Sequence, residues 1–134
     1  MRWAVLWLFL TPQALANGDE LGALSEIPSI EWSRSLPGTK ASGQFHTERS
    51  APVVHRDLVY VGASGSHALH AFHVNSGNNV HQYAAEAAVY AQPVFTKDAL
   101  FFSDSAGYTY RYEIGAKEAT WSHFSGVPIG STPT

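Results

Sequence analysis

The sequence predicts an all-β protein, and three observations support this fold class. A stretch that opens at Pro52 is repeated from Pro93. Each copy divides into four short segments rich in Val, Tyr and Phe, separated by Gly, Asn, Asp and Ser, which favour turns. No segment spaces its apolar residues by three and four over three turns, as an amphipathic helix requires. The chain is therefore expected to form repeated four-stranded units.

The first copy predicts strands at 53–54, 58–62, 68–74 and 79–83. The run from Leu58 to Val61 is apolar without interruption, which indicates a strand covered on both faces. Val and Tyr are favoured there because bulky side chains pack well on a pleated surface. We expect Asp57 to lie in the turn between the first two strands.

The second copy predicts strands at 94–96, 99–103, 108–114 and 118–123. The spacing between the copies shortens by a single position after the Gly/Ser loop at 62–66. Surface loops tolerate the loss of a residue, so the repeat is preserved. Ser131-Thr132-Pro133 matches Ser50-Ala51-Pro52 and begins a third copy. The two repeats therefore run from about 51 to 91 and from 92 to 131.

A period of about 40 residues with four strands is typical of the blades of a β-propeller. The segment HAFHVNSGNNVH resembles the repeat of quinoprotein-type propellers, whose blades carry the motif A-x-D-x-x-T-G-x-x-x-W. Ala71, Ser76 and Gly77 hold the Ala, Thr and Gly positions of that motif. His73 stands in place of the Asp, and His81 in place of the Trp.

The second copy resembles the same motif at other positions. Trp121 holds the Trp position and Glu113 the acidic one, whereas the Ala, Thr and Gly positions carry Arg111, Ala116 and Lys117. The resemblance covers about residues 51–134 and implies that Trp121 packs between neighbouring blades. It implies the same role for His81, which fills it less well because its ring is smaller and has polar atoms to satisfy.

Trp32 lies upstream of the first repeat and is interpreted as part of the last strand of a blade that lacks its beginning. The resemblance implies that such a strand closes the ring by joining the final blade. The predicted architecture is a partial β-propeller of two four-stranded antiparallel blades, with a closing strand in the segment 17–50.

The N-terminal segment 1–16 reads as a secretory signal peptide. A basic start precedes the apolar run from Trp3 to Leu10, and Ala14-Leu15-Ala16 follows as a cleavage site. The run is far shorter than the ~20 residues of a spanning helix. Without cysteine, the exported chain is expected in the periplasm or cell envelope of a Gram-negative bacterium.

Several other side chains are candidates for sites. His67, His70 and His73 diverge on a strand, so we expect hydrogen-bonded or solvated surface histidines and no metal site. The aspartates of the turns are interpreted as turn-forming residues and not as acids or bases: Asp57, Asp98 and Asp104. A row of tyrosines is expected to pack against the adjacent blade, with a carbohydrate or peptide platform as the alternative: Tyr108, Tyr110 and Tyr112.

The composition and motifs give no sign of nucleic-acid binding or of catalysis. A net charge of −3 without a basic cluster argues against nucleic-acid binding, and no nucleophile or phosphate-loop motif is present. The resemblance to quinoprotein-type propellers, which include non-catalytic relatives such as BamB, implies a non-catalytic, BamB-like scaffold without a cofactor, which binds a protein partner or further blades. One alternative is a fragment of a dehydrogenase that depends on pyrroloquinoline quinone and calcium, although no residue of this sequence can be assigned as a calcium ligand. The other is a degenerate gene product without a role.

Two blades are fewer than the four to eight of a propeller. Repeats of this kind bury their faces against neighbours, so an isolated pair leaves a blade face and sheet edges exposed. Truncation of a longer propeller is the favoured expectation, and self-association or packing against another chain are the alternatives.

Overall fold

The computed structural model describes residues 30–38 and 49–133. The predicted signal peptide and most of the segment 17–50 lie outside the described residues. Residues 30 and 31 belong to an N-terminal unit, and the residues from Trp32 onward belong to a second unit. All structural features below concern this second unit.

The first repeat folds into one antiparallel sheet, blade 1. Its strands are β1 (Val53–His55), β2 (Leu58–Ala63), β3 (Ala68–His73) and β4 (Asn79–Ala84), paired in chain order. Each strand pairs with the next across a short turn, so the sheet is a meander.

The second repeat folds into a second sheet of the same topology, blade 2. Its strands are β5 (Val94–Phe95), β6 (Ala99–Ser103), β7 (Tyr108–Glu113) and β8 (Trp121–Phe124), again paired in chain order. The predicted all-β class and the two four-stranded antiparallel blades are thus confirmed.

The last strand begins later than the sequence predicts. Positions 118–120 precede the ladder, which starts at the pair Arg111 and Trp121. Gly115 has a φ of +88°, and the amide of Ala116 donates to the carbonyl of Glu113 at 3.0 Å. These features hold the chain in a turn that delays its return to the sheet.

The core lies between the two blades. Tyr60 and Tyr83 of blade 1 and Phe102 and Tyr112 of blade 2 belong to one buried apolar cluster. The rings of Tyr83 and Tyr112 meet edge to face, with their centroids 5.2 Å apart. The facing blade covers one face of β2 and one face of β6, where Tyr60, Leu100 and Phe102 are buried. The apolar residues on the other face, Val59, Val61 and Phe101, are only half-buried, so the predicted cover on both faces is incomplete.

The structure does not show the closing strand expected at Trp32. Positions 32–36 are not in a strand, and no ladder partner for Trp32 exists among the described strands. A strand needs a neighbour to satisfy its backbone, so this segment is held instead by its side chains.

Candidate functional site

Trp32 docks on the turn between β3 and β4. Its indole N–H donates to the carbonyl oxygen of Val74 at 2.7 Å. The ring lies against Gly77, where an added Cβ would stand 2.5 Å from Cδ2 of Trp32. Gly77 also has a φ of +64°, a conformation that glycine adopts without strain. We call Val74 and Gly77 the Trp32 seat.

Arg34 strengthens the same attachment. Its Nε donates to the carbonyl of Gly77 at 2.9 Å, and its Nη2 reaches the carbonyl of Ser76 at 3.4 Å. The Ser76 hydroxyl accepts a bond from the amide of Asn78 at 3.3 Å. The motif residues Ser76 and Gly77 therefore shape a turn that receives an aromatic side chain, while Ala71 is fully buried in β3.

The junction between the blades repeats this pattern with different side chains. The ring of His81 lies against Gly115, with Cε1 3.5 Å from the position of an added Cβ. The hydroxyl of Tyr83 accepts a hydrogen bond from the amide of Gly115 at 2.9 Å. Tyr83 thus accepts a hydrogen bond from the next turn, whereas Trp32 donates one to its turn. The sequence motif did not indicate this role of Tyr83.

Trp121 occupies the corresponding position of blade 2, and its side chain is 44% exposed. Its ring contacts Phe101, with centroids 6.3 Å apart. Phe101, Arg111 and Trp121 are paired across the sheet, and side chains alternate between the faces of a strand. Trp121 therefore lies on the face opposite to the one that carries Tyr110 and Tyr112.

His123 lies on the same face as Trp121, two positions along β8, and every residue of this strand is exposed. We call Phe101, Trp121 and His123 the outer surface of blade 2. Phe124 lies on the other face, where its ring is 4.8 Å from that of Tyr108. Glu113, the acidic motif position, is exposed at the end of β7.

A buried carboxylate joins the two blades. Asp104 is fully buried and accepts six hydrogen bonds. Its Oδ1 accepts from the amides of residues 106, 107 and 108 at 3.0–3.1 Å. Its Oδ2 accepts from the amides of Glu86 and Ala87 of the connection from blade 1, at 3.1 Å, and from the hydroxyl of Tyr110 at 2.8 Å. The predicted turn role is correct, and Asp104 in addition ties blade 2 to that connection.

The tyrosine row of β7 faces blade 1, as the sequence predicts. The hydroxyl of Tyr112 donates to the carbonyl of Ala84 at 2.9 Å, and the hydroxyl of Tyr110 accepts from the amide of Glu86 at 2.9 Å. Tyr108 stacks on Tyr110. These interactions give the row a structural role at the blade junction.

Burial keeps these phenols neutral. It raises the pKa of Tyr60 to about 12, and it also raises the pKa of Tyr83, Tyr110 and Tyr112 above the ordinary value. Desolvation disfavours the charged phenolate. These hydroxyls therefore stay protonated to a higher pH than that of an ordinary tyrosine.

One of the three histidines, His70, differs from the surface residues that the sequence predicts, whereas His67 is exposed as expected and His73 is half-buried. His67 lies in the turn before β3 with a φ of +48°, so it is not on the strand. His70 is fully buried, with Nε2 2.7 Å from the Ser66 hydroxyl and Nδ1 3.0 Å from the Asn79 amide nitrogen. A side chain buried with hydrogen-bond partners on both ring nitrogens is part of the blade interior.

The described residues contain no cluster of three metal-ligating side chains, that is, of histidine, cysteine or carboxylate groups within residues 30–38 and 49–133. The buried carboxylate of Asp104 has its lone pairs occupied by six donors. The described part of the chain also contains no helix long and apolar enough to cross a membrane.

Comparisons with known proteins extend the description of the fold. No family model matches the sequence, and no curated protein matches it. The chain is similar to the crystal structure of BamB from Moraxella catarrhalis, with 14% identity, a TM-score of 0.46, and coverage of 52% of this chain and 20% of that one. It is also similar to the computationally designed protein Ika8, with 14% identity, a TM-score of 0.50, and coverage of 60% and 25%. The chain thus spans a quarter or less of these structures, and at this identity the likeness concerns the fold alone.

Proposed function

We propose that the chain is a non-catalytic, BamB-like scaffold of the bacterial cell envelope that binds another protein through the outer surface of blade 2. The observation that carries the proposal is the exposure of Trp121 above Phe101, on a sheet face that no described part of the chain covers. Aromatic side chains are enriched where proteins bind one another.

The rest of the blade pair supports this assignment. On the equivalent face of blade 1, Tyr60 and Tyr83 are fully buried against blade 2, whereas the rings on the outer surface are not. Trp121 combines a large apolar ring with an N–H donor, and such a side chain contributes strongly when a partner covers it. Exposed apolar clusters are common at interaction sites, which supports binding at this surface.

The proposal includes the absence of a cofactor and an exported location. Asp104, which is buried among donors, serves as a structural carboxylate in this account. Addition of pyrroloquinoline quinone and calcium to the purified protein should give no dye-linked oxidation of alcohols or sugars. Turnover above that of the protein without quinone would overturn the non-catalytic assignment.

Photocrosslinking in the source cell tests the binding surface. A benzoylphenylalanine placed at His123 should form an adduct of defined mass with one envelope protein, and Trp121→Ala should abolish it. The matched control is the same group at Val54, an exposed apolar residue of β1. Equal adducts from positions 54 and 123, or none from 123, would contradict the proposal.

A further inference from the structure

The structure contains two docking events of one kind. In each, an aromatic ring from the preceding part of the chain lies on the glycine of a β3–β4-type turn: Trp32 on Gly77 and His81 on Gly115. In each, a backbone group of that turn is also hydrogen-bonded, at Val74 by Trp32 and at Gly115 by Tyr83. The turn after the third strand of each blade thus receives an aromatic ring, although Gly115 lies two places before the repeat position that corresponds to Gly77.

Trp121 is the next member of this series. It lies one repeat after His81 and pairs with Arg111 in β8, as His81 pairs with Ala71 in β4. Within residues 30–38 and 49–133, no further turn lies against it, and its ring is nearly half exposed. Its chemistry matches the Trp32 seat, which binds the same indole through a carbonyl and a glycine.

We propose that the outer surface of blade 2 binds the Trp32 seat of a second copy of this chain, and that Trp32 normally blocks this head-to-tail assembly by occupying the seat. Placing a second copy's blade 1 beyond blade 2 continues the contact already made between the two blades. Such an interface is heterologous, because it joins two different surfaces of the chain. Each added copy leaves one of its two surfaces unoccupied, so further copies continue the assembly.

The oligomeric state of the intact protein depends on competition between Trp32 and the Trp121 of another copy for the Trp32 seat. A group tethered to its site on the same chain acts at an effective concentration of about 1 mM, so at about 50 µM protein Trp32 outcompetes the Trp121 of another copy by about twentyfold. Arg34 increases this advantage through its bond to the Gly77 carbonyl. Trp32 thus acts as a cap at one end of the blade array.

Sedimentation velocity on purified variants tests the cap. The full chain should be monomeric at tens of micromolar, whereas Trp32→Ala should form oligomers whose mass rises with concentration. Trp32→Ala combined with Trp121→Ala should return to monomer. A synthetic peptide of residues 30–38 should dissolve the Trp32→Ala oligomers by refilling the seat.

A mixing experiment distinguishes this specific contact from non-specific association. The double variant offers an open seat without Trp121, and the wild type offers Trp121 with a closed seat, so an equimolar mixture should give a 1:1 complex and nothing larger. If Trp32→Ala does not fold, Arg34→Ala, which keeps the indole but loosens the seat, should show weaker self-association of the same kind.

Two results would overturn the proposal: folded variants that remain monomeric, or oligomers that persist without Trp121. The inference uses the same outer surface as the proposed function. The two fail separately, because self-association is measured on purified protein and crosslinking to another envelope protein in the cell.

Discussion

Removal of the Asp104 carboxylate should destabilise the blade pair more than any other single charge removal on the turns. Asp104→Ala deletes the acceptor of six hydrogen bonds, five of them from backbone amides. A hydrogen bond to a charged group contributes about 1.5–3 kcal/mol, and a buried donor left unpaired costs about 1–3 kcal/mol. Water that enters the vacated space recovers part of this loss, so we expect a decrease of about 4 kcal/mol in the free energy of unfolding.

Two milder variants should lower the free energy of unfolding by smaller amounts. Asp104→Asn keeps one acceptor oxygen but turns an N–H₂ group toward donors, so we expect a loss of about 2 kcal/mol. Tyr110→Phe removes one donor to Asp104, while the Glu86 amide retains its bond to the carboxylate, so about 1 kcal/mol is expected.

Urea denaturation followed by circular dichroism measures these differences. The matched control is Asp98→Ala, which removes an exposed turn aspartate of the same blade and should change stability by less than about 0.5 kcal/mol. The reasoning is refuted if Asp104→Ala costs no more than Asp98→Ala, or if the order of the three variants is reversed.

Three further predictions concern the docking contacts and the phenols. Gly77→Ala should cost clearly more stability than Gly126→Ala, because both residues have a positive φ but only the methyl at 77 would collide with Trp32; thermal melting measures the difference. Tyr60 should contribute up to about 1.4 kcal/mol per pH unit to the fall in stability between pH 10 and about 12, because its raised pKa lets the unfolded chain ionise first; Tyr60→Phe should remove this part of the fall in urea titrations at alkaline pH, and the other buried tyrosines should retain theirs. Tyr83→Phe should lower stability by about 1 kcal/mol and speed hydrogen exchange of the turn amide that it accepts from, and unchanged exchange would contradict its role at the junction.

The strand pattern was predictable because it depends on local sequence. Turn residues separate the strands, and the apolar runs identify β2 and β6. The cover expected on both faces was overestimated, because Val59, Val61 and Phe101 are only half-buried. The start of β8 was predicted too early, because the delay at 115–120 depends on the positive φ of Gly115 and on hydrogen bonds that periodicity does not report.

The junction was only partly predictable. The motif identified Gly77 and the ring positions 81 and 121, since these occupy fixed places in the repeat. Asp104 was assigned a turn role alone, because its bonds to Glu86 and Ala87 join groups that are distant in the sequence. Only the packing of the two blades brings that carboxylate to the connection between them.

Hydrogen exchange of the indole N–H groups, measured by NMR and assigned with Trp→Phe variants, tests the central claim most directly. Trp32 donates its N–H to Val74, whereas Trp121 lies on an exposed strand. The account predicts a slowly exchanging indole for Trp32 and a rapidly exchanging one for Trp121 in the same sample. Rapid exchange at Trp32, or protection of Trp121 in the monomer, would contradict a filled seat at one end of the blade pair and an open docking surface at the other.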